Sequence, residues 1–309
     1  MAQPQLSETY IARSITNAAI GYRNAAYIAG QLAPIINVTK REGKYFVFDR
    51  GEIVQDGASP NRQPGSDAPR GGYTIANESY DCREYAFAHE VPDEIVEQAD
   101  EAIQPMERGI NFCMEKVLLR RERAAQAAFF ASSVWGTDKT VAATWDDFAN
   151  SDPPDDLNTG KSTILRNTGF SPNTLVMGQE VWDKLVLNPD AIDRIKHVNR
   201  ADMAAVSASL ANWLGVERLI VGGASYNAAK DGATTDRQFI WGKNALLCYV
   251  APAPSIDVPS AAYLFQLKDI ATRNWYETSP KQTVVEAALC ADPKVTAAQA
   301  GYYFPAVVS

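Results

Sequence analysis

From Lys40 to Ser132 the chain runs strand, long polar segment, strand, long amphipathic helix, and this order limits what it can fold into. Lys44–Phe48 predicts a strand. Tyr80–His89 predicts another, with Tyr80, Cys82, Tyr85 and Phe87 spread over its faces. Between them lie roughly thirty residues rich in turn formers, among them Ser59-Pro60-Asn61, Gln63-Pro64-Gly65 and Gly71-Gly72. Such a segment has no apolar pattern to bury. A structureless stretch of this length in a compact domain is functional, disordered or ordered by a partner. The expectation is a protein whose fold is completed by copies of itself.

The helix that follows is long. Val91-Pro92-Asp93-Glu94 starts a first piece running to about Ile103, with Pro in the first turn and acids at the positive end of the dipole. Pro105 then kinks or restarts it. Beyond it, Met106, Ile110, Cys113, Met114, Val117, Leu118, Ala124, Ala125, Ala128 and Phe129 recur at three- and four-residue spacing. Glu115, Lys116, Arg120, Glu122 and Arg123 are placed on the opposite face. This second piece, of about 27 residues, would make a rod of roughly 40 Å. Buried on one side only, such a rod suits a scaffold laid across a sheet.

Residues 1–36 form a weakly amphipathic arm, with Tyr10, Ile11, Ile15 and Ala19 on one helical face and an extended exit at Pro34. After a linker, helices and strands alternate from Leu157 to Val250, through the apolar runs Thr174–Met177 and Leu219–Val221, which predicts an α/β layer. Pro252, Pro254 and Pro259 mark its end. Tyr263–Leu267, Asn274–Thr278 and Thr283–Ala288 then read as antiparallel strands, and Gly301–Phe304 as a hairpin-like tail.

Composition narrows the function. The formal net charge is −8, the opposite of the basic balance that phosphate neutralisation demands of a sequence-seeking nucleic-acid binder. The cysteines Cys82, Cys113, Cys248 and Cys290 form no CxxC pair and read as buried thiols of a reduced compartment. No secretory leader is expected from the N-terminal sequence, and no membrane span, since no run of about 18 apolar residues occurs.

Catalytic equipment is thin. His89 and His197 are the two histidines. His89-Glu90 lacks the second His of a zinc-protease helix, and no GxSxG elbow occurs. Gly222-Gly223 follows a strand as a turn, without a phosphate-loop motif. Asp146, Asp147, Asp152, Asp155 and Asp156 carry hard oxygens suited to Ca²⁺ or Mg²⁺ but fit no EF-hand register, so a solvated loop and helix cap is preferred. No catalytic residue, metal ligand or cofactor is expected.

Several short words occur in a telling order: Ala33-Pro34 leading to Val38, Gly43-Lys44-Tyr45-Phe46, Pro64-Gly65, Tyr80, and Val91-Pro92-Asp93. Then come Leu118-Leu119-Arg120-Arg121-Glu122, the acidic segment at Trp145, Pro172-Asn173-Thr174-Leu175-Val176, and Trp182 through Leu185 to Asn188-Pro189. In this order the chain resembles, over nearly all its length, the major capsid proteins of tailed bacteriophages with the Hong Kong 97-type fold.

The resemblance implies an α+β fold: an N-terminal arm (1–36), an extended β-hairpin loop (37–91), a peripheral domain with a spine helix (92–142), an axial domain (143–262), and return strands completing the peripheral domain (263–309). It implies a non-enzymatic subunit that assembles through pentamers and hexamers into an icosahedral shell around double-stranded DNA. A separate scaffolding protein, a portal and a decoration protein are the other implied partners. The setting would be the virion capsid, assembled in the bacterial host cytoplasm. Tyr10, Ile15, Tyr45 and Phe46 are the apolar residues expected to gain burial against neighbours. Arg50, Arg62, Arg70 and Asp67 are the loop charges expected to pair across subunits. Two alternatives remain at this point: a nanocompartment shell enclosing a cargo enzyme, and a metal-dependent hydrolase using the Asp146–Asp156 acids.

Overall fold

The computed structural model describes residues 27–48, 65, 67, 76–98, 104–195, 203–229, 234, 236–255 and 258–309. Among these, a four-stranded sheet forms the first layer. It comprises β1 (Ile35–Asn37), β4 (Arg83–Pro92), β11 (Ala262–Glu277) and β12 (Gln282–Val295), in the order β1–β11–β12–β4. β1 runs parallel to β11, and the remaining pairs are antiparallel. The three return strands expected from sequence are two long ones. Register shifts at Lys268 interrupt the alternation of β11, so its two halves look like separate strands.

Across this sheet lies α3 (Pro105–Phe129), preceded by the short helices α1 (Ala29–Leu32) and α2 (Asp93–Gln98). Pro105 occupies the first turn of α3, where its missing N–H costs nothing, so the chain restarts there instead of kinking. Ile110, Cys113, Met114, Val117 and Leu118 pack on Val285, Ala287, Leu289 and Ala291 of β12. Full burial of each large side chain is worth about 1.5–3 kcal/mol, which fixes the rod to the sheet.

The second layer is a five-stranded sheet of β5 (Thr137–Asp138), β6 (Thr174–Gly178), β7 (Arg218–Gly222), β10 (Ala245–Cys248) and β13 (Gly301–Phe304), in the order β5–β13–β10–β6–β7. Its three central strands, β13, β10 and β6, are buried on both faces. Leu175, Met177, Leu247, Tyr302 and Phe304 point into a core shared with α4 (Pro153–Thr168), α5 (Gln179–Leu185), α6 (Pro189–Ile195) and α7 (Met203–Leu214). The alternate residues Val176, Leu246 and Tyr303 point the other way, into the core that α3 covers. α4 and α7 end at Gly169 and Gly215, both left-handed at φ +73° and +66°, where any other residue is strained.

Two boundaries differ from the sequence expectation. Gly301–Phe304 joins the five-stranded sheet beside β10 and does not return to the first layer, because a wholly apolar strand needs cover on both faces. Arg83–Pro92, placed in the extended loop by sequence, is an edge strand of the first layer, hydrogen-bonded to β12 along its whole length. The expected strand Tyr80–His89 thus breaks at Cys82, which separates β4 from β3 (Ala76–Asp81). β3 instead pairs with β2 (Glu42–Val47) in a two-stranded ribbon. A second small ribbon joins β8 (Ser225–Asn227) and β9 (Arg237–Phe239).

Candidate functional site

The β2–β3 ribbon is the stem of the long polar segment. Its strands alternate mostly exposed side chains, with Tyr45 the one fully buried position. Tyr45 packs on Phe265, ring centroids 5.2 Å apart, and its hydroxyl donates to Glu78 Oε2 at 2.8 Å. Tyr80 stacks on the same Phe265 at 4.8 Å. The ribbon is pinned to the first layer through its base: Asp81 N donates to Asp292 Oδ2 at 2.8 Å, and Cys290 Sγ donates to the Cys82 carbonyl at 2.8 Å.

This placement corrects one expected contact residue and leaves another standing as an exposed surface. Tyr45 is 3% exposed within its own chain, so it has no area left for a neighbour. The alternation of β2 turns it inward and turns Phe46 outward, 44% exposed. Asp67 is exposed. Tyr10, Ile15, Arg50, Arg62 and Arg70 lie outside the described residues. Further uncovered apolar side chains belong to the first layer and α2: Phe87 meets Phe112 edge to face at 5.6 Å, and Ile95 and Val96 project from α2.

Sequence reasoning also missed Glu122. It stands on the buried side of α3, fully enclosed. Its Oε1 accepts from Ile28 N at 2.7 Å and from Trp241 Nε1 at 2.8 Å, and its Oε2 accepts from Ala29 N at 3.0 Å. One carboxylate thus joins the start of α1, the long helix, and the Trp241 that packs against the five-stranded sheet. Burial pushes its pKa up, while the Ile28, Ala29 and Trp241 donors and the Arg121 charge draw it back. The signal was present in the sequence. Glu122 follows Leu118 by four positions and precedes Ala125 by three, which is the spacing of the apolar stripe.

The chemically reactive residue types are occupied in local structure. Burial pushes the thiols of Cys82 and Cys248 up to about 12 and that of Cys113 to about 11, far from the thiolate form. Asp147 accepts from Asn150 Nδ2 at 2.8 Å, Asp152 caps α4 through Asp155 N at 3.2 Å, and Asp156 accepts from Trp145 Nε1 at 3.1 Å. Asp146 accepts from the Ser309 hydroxyl, which holds its carboxyl down at about 2. The acidic segment is therefore a set of turns and caps. Among the described residues, no three His, Cys, Asp or Glu side chains gather as a metal site would require, and no helix is long and apolar enough to cross a membrane. His89 lies against Phe112 at 5.6 Å, and His197 is outside the described residues. The described surface offers contact area and charge.

No protein-family model matches the chain. A phage-related protein from Bordetella bronchiseptica RB50 has the same fold, with a TM-score of 0.73, 22% identity, and coverage of 96% of this chain and 97% of that one. The capsid protein of cyanophage P-SCSP1u superposes with a TM-score of 0.57 at 12% identity, covering 88% and 86% of the two chains. These likenesses show the Hong Kong 97-type α+β fold. The major capsid protein of Burkholderia phage BcepMu is 30% identical over 245 residues, spanning 76% of this chain and 75% of the relative. Identity at that level along three-quarters of both sequences makes this chain a member of the phage major capsid protein family.

Proposed function

We propose that copies of this chain assemble through pentamers and hexamers into the icosahedral shell that encloses the double-stranded DNA of a tailed phage. The observation that carries this reading is the β2–β3 ribbon, which pairs with neither of the two larger sheets and leaves Phe46 uncovered by its own chain. With 44% of its surface still exposed, Phe46 gains on the order of 1 kcal/mol when a second copy covers it. Contacts that are not self-complementary close into rings around an axis, and rings tile a shell.

In this reading the four-stranded layer with α3 is the peripheral domain, and the five-stranded layer with α4 to α7 is the axial domain that gathers around the five- and six-fold axes. Residues 1–36 and the polar segment strap neighbouring subunits together. The role is mechanical and needs no turnover, metal or cofactor. Scaffolding, portal and decoration proteins act as separate partners during assembly in the host cytoplasm. Electron microscopy of the expressed protein tests the proposal. Closed shells or ring-shaped capsomers are expected, and small compact oligomers would overturn it. The contents of native particles, DNA against a protein cargo, separate a genome container from a nanocompartment.

A further inference from the structure

The outward face of α3 carries one sign of charge. Its exposed positions are Arg108, Phe112, Lys116, Arg120, Arg123 and Ala127, which recur at three- and four-residue spacing and so form one stripe. The four cations span 15 helical positions, roughly 22 Å. Of the three carboxylates of the helix, Glu122 is buried, Glu115 receives the Tyr27 hydroxyl at 2.5 Å, and Glu107 stands half-buried in the first turn, next to Arg108 in sequence. Among the described residues, none of the four cations forms an ion pair. Unbalanced positive charge in a line is notable in a chain whose formal net charge is −8.

Aromatic rings hold these cations in place. Lys116 Nζ lies 5.4 Å from the Phe112 centroid, the Arg120 guanidinium 5.6 Å from Tyr85, and the Arg123 guanidinium 4.4 Å from Tyr226. A guanidinium held by a ring keeps its N–H edge free to donate. Beside Arg120 and Arg123 runs an open groove of about 400 Å³, walled on its far side by Gln238 and Phe239. The sheet extends the asymmetry. On β4, Tyr85, Phe87 and His89 pair with the β12 residues that face α3, so the alternate Glu84 and Glu90 lie on the opposite face. Two further acids, Asp93 and Glu94, stand in the first turn of α2, past the N-terminal end of the stripe.

We propose that the Arg108–Lys116–Arg120–Arg123 stripe binds the phosphate backbone of enclosed DNA, which makes the α3 face of the first layer the inner wall of the shell. The inference rests on the shell reading and adds to it the orientation of the subunit and the residues that meet the genome. The contact is sequence-independent, because all of its charge is directed at phosphates and none at base edges. It is weak per subunit and salt-dependent, and it gains strength by repetition over a capsomer.

The test is the salt dependence of binding of a fluorescent 30-base-pair duplex to capsomers of the full chain. Each phosphate neutralised contributes a slope of about −0.9 in log affinity against log salt. Wild-type capsomers are expected to bind at low salt. Arg120→Gln/Arg123→Gln is expected to flatten the slope by about 2 per subunit engaged, and Arg120→Lys/Arg123→Lys to retain it. An unchanged slope, or no duplex binding by wild type, overturns the proposal. Loss of shells by the Gln variant while the Lys variant still assembles assigns the stripe to subunit contacts and also overturns it. So does tighter binding of a polyglutamate peptide than of the duplex, which points to an acidic protein partner. Duplex binding by a wild-type chain that forms no shells would sink the parent reading while leaving the phosphate site in place.

Discussion

Glu122 accepts three N–H donors from two other parts of the chain while fully buried, and this makes it the most sensitive single position described. Charge-assisted bonds of this kind contribute about 1.5–3 kcal/mol each, and a donor left unpaired in the core adds a further penalty. Glu122→Gln is therefore expected to lower stability by about 1–3 kcal/mol, and Glu122→Leu by more, since it orphans all three donors. The pH dependence has a definite sign. The folded-state value is raised above the ordinary 4.5, so folding favours the protonated acid. This contribution is complete below about 4.5 and is lost as pH climbs through the raised value. The advantage of wild type over Glu122→Gln in denaturant midpoints should accordingly shrink as pH climbs above about 4.5. A gap that stays constant would mean the carboxyl is not raised. Tyr45 and Phe46 make a second comparison at this scale. Tyr45→Ala removes a ring buried on Phe265 and should destabilise the free subunit by about 3–5 kcal/mol. Phe46→Ser should leave the subunit within about 0.5 kcal/mol of wild type and impair shell formation, read by electron microscopy.

Among the elements, α3 was legible because its 25 residues repeat one period through seven turns. Leu118→Asp places an unpaired carboxylate on the buried stripe and is expected to abolish cooperative melting, whereas Arg120→Ala, on the exposed face, should cost little. Circular dichroism distinguishes the two. Glu122 shows why the same helix was only partly legible. Its charge assigned it to solvent, its spacing assigned it to the core, and spacing was right. Strands were harder. β11 carries Lys268 and Asp269 at its register shifts, and this polar interruption splits the pattern of one strand into two. The Tyr/Tyr/Phe run of β13 reads in sequence as a hairpin-like tail, because its pairing is decided by distant residues such as Leu246 and Leu247. Deletion of residues 51–73 tests the independence of the ribbon. β2 and β3 keep their pairing below the excised tip, so the subunit should fold and fail to make stable shells. Loss of the fold itself, seen by circular dichroism, would count against the strap role.

For the whole molecule, the family and the layered architecture could be read from word order and periodicity, while most of the expected contact residues lie outside the described part of the chain. Phe46 and the other uncovered apolar side chains have area to bury only when copies meet, so assembled particles should melt above free capsomers. Salt screens exposed ion pairs and spares apolar burial, so calorimetry should find the gap at low and at high ionic strength. Equal melting temperatures would mean that these surfaces contribute little. The pairing of β4 with β12 has a further consequence, one of time. The strands meet with Pro92 opposite Gln282, about 190 residues later in the chain. At synthesis rates of about 5–20 residues per second, the apolar stripe of α3 waits roughly 10–40 s on the ribosome before the strand that covers it exists. During that interval β4 is an unpaired edge beside a bare hydrophobic helix. A nascent chain halted before residue 282 should therefore be far more prone to aggregate than one released just beyond 295, as light scattering of the two truncated products would reveal.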